Sequence, residues 1–262
     1  MWAFAEKNVF KKIEMVRRFD LNMINLFEGA TPDIPERDVS ILVPKHLPPK
    51  KGFASPEGQA RMLHDLASIE LQAMELGLRT LADFPQAPDD FKEKLFAITL
   101  SECDHLEMCL TEIDKLGFKW GDWPVHTALW SATSIRDSLL DRILIVHRYL
   151  EGSGLDAGDT LLRRLTAVEV PSIKFALKRI GAEEIEHVLF GSDWYREICR
   201  LENIDPNQDY FSRMTKLRGI LPKRIEPINK ELRKKSGFSD LEIEFLENLR
   251  LSFLDKNNPW KK

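Results

Sequence analysis

The sequence predicts an all-α protein whose main part is a bundle of four long helices. From Pro56 onward, apolar residues recur at steps of three and four, which is the spacing of one helix face. Alternation of the strand type, with hairpin turns between the runs, is not evident in the sequence. A longer link around KWGDWPVH separates the second helical stretch from the third, so we expect two helical hairpins.

Weaker segments flank the four amphipathic stretches. Residues 1–20 predict a short amphipathic helix, and six prolines within 31–57 predict an extended arm. After the third stretch, SATSIRDSLLDRILIVHRYLEG, a short helix is expected around Thr160–Val168, and Pro171 suits the opening of the fourth helix, Ser172–Leu201. The predicted division is an N-terminal helix with a Pro-rich arm (1–55), a four-helix bundle (56–201) and a C-terminal helical extension (202–262).

Composition and charge describe an ordinary globular chain. It has 262 residues, of which 43% are hydrophobic, and a formal net charge of −4. No run approaches the roughly 18 consecutive apolar residues of a membrane span. The N-terminus lacks the uncharged core of a signal peptide, and three cysteines without CxxC spacing suggest a reducing compartment. We therefore expect a cytoplasmic protein that does not enter a membrane.

Two glutamate–histidine pairs occupy positions where apolar residues belong. Glu102 and His105 continue the inward row of the second helix, and Glu184 and His187 continue that of the fourth. A spacing of three puts both side chains of a pair on one helix face. An ionised carboxylate in a core costs several kcal/mol unless it is paired or bound to a metal. Each pair therefore needs a partner.

A lone glutamate precedes each pair at nearly the same distance. Glu70 interrupts the inward row of the first helix, and Glu151 ends that of the third. The interval from Glu70 to Glu102 is 32 residues, and that from Glu151 to Glu184 is 33. Glu75 is an alternative to Glu70 on the first helix, although its row lies off the apolar face. The pattern is that of a two-fold repeat of a helical hairpin.

Four carboxylates and two imidazoles in a bundle core are the ligand set of a di-metal carboxylate centre. Two irons, or a manganese and an iron, take hard oxygen ligands that offset their charge, together with one imidazole each. The predicted ligands are therefore Glu70, Glu102, His105, Glu151, Glu184 and His187. At least one glutamate of each Glu-x-x-His pair is expected to bridge the two ions.

Five stretches of the sequence resemble known proteins. They are LHDLASIELQAMEL (63–76), SECDHLE (101–107), GDWPVHTALW (121–130), EGSGLD (151–156) and EEIEHVLFGSDWY (183–195). Over about residues 55–200 the chain resembles the ferritin-like superfamily. Within it, the chain resembles domain-of-unknown-function family 455, which is distantly similar to the tRNA-hydroxylase MiaE. The resemblance implies a ferritin-like four-helix bundle with a di-iron or manganese–iron centre, and it says little about the substrate.

One segment departs from the pattern of that family. Where its members tend to have Glu-Ala-Arg-Gly-Leu-Asp, this chain has Glu-Gly-Ser-Gly-Leu-Asp from Glu151 to Asp156. The glutamate is kept, but two glycines and the missing arginine are expected to loosen the segment. Either Glu151 is the weakest of the predicted ligands, or the site is more open at this point.

Residues near the predicted ligands are candidates for the hydrogen-bond network around the metals, since a metal-bound histidine usually donates its other N–H to a carboxylate or carbonyl. These candidates are His64, Asp65, Asp104, Asp141 and His147. The alternative is that each aspartate is a charge on a helix surface and that His147 is an ordinary core histidine with its hydrogen bonds satisfied.

Two features lie outside the predicted site. Segment 213–235 has nine Lys or Arg and two Glu in an otherwise acidic chain. A solvated basic face is the ordinary interpretation of such a segment, and binding of an anionic substrate or of RNA is the alternative. Trp120, Trp123 and Trp130, in the link, are expected to cover the bundle rather than stack on a base.

The leading functional hypothesis is an oxygen-dependent oxidase or hydroxylase of an unknown small-molecule or anionic substrate, with dioxygen as the second substrate. This reaction type rests on analogy of fold. One alternative is a ferroxidase or metal-binding protein without an organic substrate. Another is a non-enzymatic interaction protein that retains the bundle. In any of these roles the chain could form a homodimer.

Overall fold

The structure, a computed structural model, describes residues 2–255, and in that range the chain is helical. The α-helices there are α1 (Val9–Arg17), α2 (Pro56–Asp83), α3 (Asp89–Lys115), α4 (Leu139–Ile143), α5 (Gly152–Arg164), α6 (Pro171–Leu201), α7 (Pro206–Leu217), α8 (Lys230–Lys235) and α9 (Asp240–Leu254). An isolated bridge between Ile41 and Val125 is the one β-type pairing within residues 2–255. No helix among these residues has a long enough apolar stretch to cross a membrane. The predicted all-α class is confirmed.

The chain falls into two compact units. The first unit comprises Met1–Ser131 and Val168–Ala176, and the second comprises Ala132–Ala167 and Leu177–Lys262. The division at residues 55 and 201 that the sequence suggested stays a prediction. Residues 256–262 of its third part, like Met1, lie outside the described residues.

In the first unit, α2 and α3 form a helical hairpin joined by residues 84–88. The Ser55 side chain caps α2 by accepting the Gly58 N–H, and Pro56 occupies the first turn, where a backbone N–H has no helical partner. The two helices approach closely at Gly77, because a Cβ there would overlap with the Thr99 side chain. The hairpin thus requires glycine at this one position.

The arm before this hairpin has little regular structure, as its prolines predict. Between residues 28 and 55, Pro44–His46 is the one helical turn. Trp130, in the link, donates its indole N–H to the Asp33 carbonyl of the arm at 2.7 Å. The same ring is 2% exposed and lies 4.5 Å from the guanidinium of Arg79 on α2. Trp130 therefore covers the hairpin and holds the arm against it.

In the second unit, the third helix is longer than its sequence predicted. It begins at Leu139 after a Ser138 capping box, passes through a π-helical segment, Leu144–Glu151, and continues as α5 to Arg164. The predicted end at Glu151 and the separate helix at Thr160–Val168 are both wrong. The backbone at Gly152 is helical (φ −56°, ψ −36°), and α8 packs against α5. This packing keeps the helix intact where local propensity alone would allow a break.

The C-terminal helices contribute to the core of the second unit. They enclose Arg148 of the π-helical segment, which is 1% exposed. Its guanidinium donates to Glu242 Oε1 at 2.9 Å and lies 4.8 Å from the Tyr210 ring and 4.6 Å from the Phe238 ring. A buried guanidinium is stable only when its charge is compensated in this way.

Helix α6 begins at Pro171 and ends at Leu201, as predicted. Within the second unit it approaches the π-helical segment closely at Gly191, where a Cβ would overlap with His147. Glycine at 191 therefore fixes how near the two backbones lie, close to the predicted ligands Glu151 and His187.

Candidate metal centre

Three of the predicted ligands meet in the first unit. Glu70 on α2 is 4% exposed, and Glu102 and His105 on α3 are 1% and 0% exposed. His105 Nδ1 lies 3.5 Å from Glu102 Oε2 and 3.7 Å from Glu70 Oε2. Two carboxylates and one imidazole thus lie together out of solvent, an arrangement that is stable only with compensating charge.

The other three predicted ligands lie in the second unit. On α6, His187 Nδ1 is 3.3 Å from Glu184 Oε1. Glu151, at the end of the π-helical segment, shares a hydrogen bond of 2.8 Å between its Oε2 and His147 Nδ1. In both Glu-x-x-His pairs, Nδ1 is the imidazole nitrogen that lies next to the glutamate. The two pairs therefore have matching local geometry.

Glu102, His105, Glu184 and His187 are the glutamates and histidines whose side chains could hold a metal ion. Carboxylate oxygens and imidazole nitrogens are donors that iron and manganese both accept. The donor set therefore fits the predicted metals, and a cation held by it would offset the charge of the carboxylates.

Glu75, the alternative ligand on α2, takes part in a different interaction. It is fully buried, and its Oε1 accepts a hydrogen bond from Lys12 Nζ at 2.6 Å. Its Oε2 accepts a hydrogen bond from Arg37 Nη2. Two cations from the N-terminal part of the chain thus balance this carboxylate. Glu70 is the glutamate of α2 that lies beside His105.

His64 and Asp65 bind the link and the arm. His64 Nε2 accepts the Gly121 N–H at 3.1 Å, and its ring stacks on Trp120 with 4.6 Å between centroids. Burial lowers the pKa of His64 to about 4, so the ring is neutral at pH 7. Asp65 pairs with Lys50 at 2.9 Å. Trp120 therefore covers α2, in agreement with the prediction for the link tryptophans.

Of the remaining three candidates, two pair with arginines and one contacts a predicted ligand. Asp104 lies on the outer face of α3 and accepts a hydrogen bond from Arg17 Nη2 at 2.6 Å. Asp141 belongs to the capping box of α4 and pairs with Arg213 at 2.7 Å. Among the five candidates, all within the described range, His147 is the one that forms a hydrogen bond with a predicted ligand, Glu151 of the third helix.

The segment after Glu151 is not loosened by its glycines, so that expectation was wrong. Gly152 and Gly154 both lie within α5, and a Cβ at Gly152 would overlap with Arg233 Nη1. Arg233 is 2% exposed and donates to Asp156 Oδ2 from Nη2 at 2.7 Å and from Nε at 3.1 Å. Glycine at position 152 leaves room for this arginine, which anchors α8 to α5.

Segment 213–235 does not form one basic face. Its five lysines are exposed and its four arginines are not; the lysines are Lys216, Lys223, Lys230, Lys234 and Lys235, and the arginines are Arg213, Arg218, Arg224 and Arg233. Arg213 pairs with Asp141 and Asp209, and Arg233 pairs with Asp156. The interpretation as a solvated face is right for the lysines and wrong for the arginines.

Ser101 is a neighbour of the site that the sequence interpretation missed. Its Oγ lies 3.5 Å from His105 Nε2, the ring nitrogen opposite the one that faces Glu102. The signal was present, because a residue four positions before a histidine lies on the same helix face. A serine in that place is common on helices, and only the structure distinguishes it from an ordinary surface residue.

The fold and this group of side chains define an all-helical protein with a candidate metal centre. By sequence, the chain belongs to the family described as "Protein of unknown function (DUF455)", whose model matches residues 5–244. An "Uncharacterized protein" of Haemophilus influenzae is 27% identical to it over 247 residues, which cover 91% of this chain and 84% of that protein. No solved structure matched the chain. The family match includes all six predicted ligands.

Proposed function

We propose that the chain is a ferritin-like di-metal carboxylate protein. It binds two irons, or a manganese and an iron, and uses them with dioxygen to oxidise or hydroxylate an organic substrate. The observation that carries this proposal is the matching geometry of two Glu-x-x-His pairs that could hold metal, with His105 Nδ1 3.5 Å from Glu102 and His187 Nδ1 3.3 Å from Glu184. Glu70, beside His105, and Glu151 complete the proposed ligand set.

The buried charges of the first unit support a dication beside Glu70 and Glu102. Glu70 and Glu102 are both nearly inaccessible to solvent and lie beside the imidazole of His105. Burying carboxylates in an apolar hairpin is unfavourable unless cations hold them there. Bound metal would make the buried glutamates stabilising, and the protein should then be more stable with metal than without it.

The histidines have a defined protonation in this proposal. Nδ1 faces the glutamate in both pairs, so it is the nitrogen that would bind metal, and the proton then sits on Nε2. For His105, Ser101 Oγ is positioned to accept that N–H. Fixing the ring orientation in this way is the usual role of a residue behind a metal-bound histidine.

His147 has a positioning role on the third helix. Its Nδ1–H donates to Glu151 Oε2 at 2.8 Å and so restricts the orientation of this carboxylate. The π-helical segment that carries both residues is a conformation that occurs often at functional sites. When bound, the reduced metal pair would supply the electrons that activate dioxygen. The protein contributes the ligands, their orientation and the exclusion of water.

Oxygen consumption tests the reaction type. The full chain, loaded anaerobically with Fe(II) or with Mn(II) and Fe(II), is exposed to dioxygen with ascorbate as the electron donor, with and without a panel of candidate organic substrates. Uptake that a substrate stimulates above the background with ascorbate alone supports the oxidase proposal. Uptake that no substrate stimulates contradicts it and favours the ferroxidase alternative. Glu184→Ala should abolish the uptake. Glu186→Ala, on the exposed side of α6, should not change it. Equal uptake by both variants would show that the ligands are wrongly assigned.

A further inference from the structure

The two halves of the proposed ligand set differ in how far they are removed from solvent. In the first unit, the side chains of Glu70, Glu102 and His105 are 5%, 2% and 0% exposed. In the second unit, those of Glu151 and Glu184 are 8% and 13% exposed. A carboxylate that folding has already stripped of water has little hydration left to lose when a cation binds, and its attraction for the cation is less screened. The first half should therefore hold a dication more tightly.

The three ligands of the first half already converge. Glu70 Oε2 lies 3.7 Å from His105 Nδ1, and Glu102 Oε2 lies 3.5 Å from the same nitrogen. Ligand atoms at about 2 Å from one metal ion are about 3–3.5 Å apart, so small side-chain movements would let one ion contact all three. The ligands lie on regular α-helix in α2 and α3, which pack together as a hairpin. The first half is therefore close to a preformed site.

Glu151, the counterpart of Glu70 in the second half, is held by a residue outside the predicted ligand set. Its Oε2 accepts a hydrogen bond from His147 Nδ1 at 2.8 Å. The His147 ring is 1% exposed and packs edge-on against Phe190, with 5.1 Å between the ring centroids. This hydrogen bond leaves Oε1 as the oxygen that Glu151 can offer to a metal ion. A carboxylate that binds through one oxygen depends on the residue that sets its orientation.

The backbone that carries Glu151 is also less regular than that of the first half. Glu151 is the last residue of the π-helical segment Leu144–Glu151. A π-helix is a rare conformation, whereas ligands on regular helices are placed more precisely. The second half should therefore need more rearrangement when an ion binds, which lowers its affinity.

We propose that the two metal ions bind in order. The first ion binds in the first unit, beside Glu70 and the Glu-x-x-His pair of α3. The second ion binds more weakly in the second unit, and its affinity depends on His147, which orients Glu151. This inference rests on the proposed function, which supplies the two ions. It makes His147 a positioning residue for one of them.

Stepwise addition of Co(II) to the full chain tests the order. Co(II) accepts the same oxygen and nitrogen donors as iron and manganese, and its visible absorption reports the ligands around it. Absorption and calorimetry should show two phases of about one ion per chain each, the second at least about tenfold weaker. Equal affinities for the two ions would overturn the order and leave the proposed function standing. Binding of neither ion would contradict both.

The matched glutamates identify which half fills first. Glu70→Ala should weaken the tight phase at least about tenfold, and Glu151→Ala should weaken the second phase alone. Glu186→Ala, at an exposed position of α6, should leave both phases unchanged. The unfolding temperature without metal verifies that each variant folds. Loss of the tight phase in Glu151→Ala, with the weaker one kept, would reverse the assignment and overturn the inference.

Two substitutions of His147 test its positioning role. His147→Phe keeps an aromatic ring against Phe190 but removes the donor to Glu151. The second ion should then bind about 10–100-fold more weakly, and the first should bind as before. His147→Gln, which retains an N–H donor, should recover part of the loss. Equal weakening of both ions would indicate a merely structural role, and this result or unchanged binding of the second ion would overturn the assignment.

Discussion

Glu75 illustrates how this chain balances a buried carboxylate without a metal. Its two oxygens accept hydrogen bonds from Lys12 and Arg37, which come from α1 and from the arm. Glu70, five residues earlier on the same helix, lies 3.7 Å from His105 instead. Two glutamates of one helix thus have different roles, one as an anchor for the N-terminal part of the chain and one as a candidate ligand.

The anchor can be tested by Glu75→Gln. The amide keeps the size of the side chain but leaves two buried cations without an anion, so the free energy of unfolding should fall by about 3–5 kcal/mol. Urea denaturation measures this change. The control is Glu57→Gln, which removes a solvent-accessible pair with Lys51 and should cost less than about 1 kcal/mol. Similar losses in the two variants would contradict the anchoring role.

The lowered pKa of His64 predicts how the free energy of unfolding depends on pH. Its pKa is about 4 in the folded chain, below the ordinary value of 6.5. Between pH 6.5 and 4 the unfolded chain therefore takes up a proton that the folded chain does not. The stabilisation from the neutral ring is complete above pH 6.5 and is lost as the pH falls toward 4. From pH 7.5 to pH 5, this residue should remove about 2 kcal/mol from the free energy of unfolding.

Urea denaturation at those two pH values checks the expected loss. His64→Asn should lose less stability on acidification than the wild type, by that same amount. His46→Asn, at an exposed histidine, should follow the wild type, since its ring is already in solvent. If all three proteins show the same pH dependence, the neutral state of His64 is not what the structure implies.

At the scale of helices, local signals predicted some boundaries and long-range contacts decided others. Pro171 marks the start of α6, and Ser55 with Pro56 marks the start of α2, because caps and first-turn prolines act within one turn. The third helix was predicted to end at Glu151 because two glycines follow. Its continuation depends on Arg233, which is distant in sequence and could not be inferred from the local pattern.

The two glycines of α5, where the third helix continues, provide a test of stability with an internal control. Gly152→Ala should reduce the free energy of unfolding by about 1–3 kcal/mol, because the new methyl group overlaps with Arg233, whose bonds to Asp156 hold it in place. Gly154→Ala, two residues later in the same helix, meets nothing within 4 Å and should instead gain up to about 1 kcal/mol. Thermal or urea unfolding of both variants measures the difference. A stabilising Gly152→Ala would mean that α8 does not pack as described.

The candidate ligands were predictable because their pattern is local. A glutamate and a histidine three positions apart within an apolar row are visible in the sequence, and both pairs lie in the group that could hold a metal. Their neighbours were not predictable to the same degree. Asp104 and His64 looked equally close to the site, yet they bind Arg17 and Gly121, at separations of 87 and 57 residues.

For the whole molecule, the family match includes the two Glu-x-x-His pairs and extends beyond them to residue 244. It therefore includes Arg148 and the residues that enclose it, Tyr210, Phe238 and Glu242.

The metal content of the purified full chain tests the central claim most directly. After anaerobic reconstitution with Fe(II) and Mn(II) and removal of unbound ions, elemental analysis should find about two metal ions per chain. Glu184→Ala should reduce this content to about half or less, whereas Glu186→Ala should leave it unchanged. Less than about 0.2 metal per wild-type chain, or full occupancy in Glu184→Ala, would contradict the assignment of these residues as a metal centre.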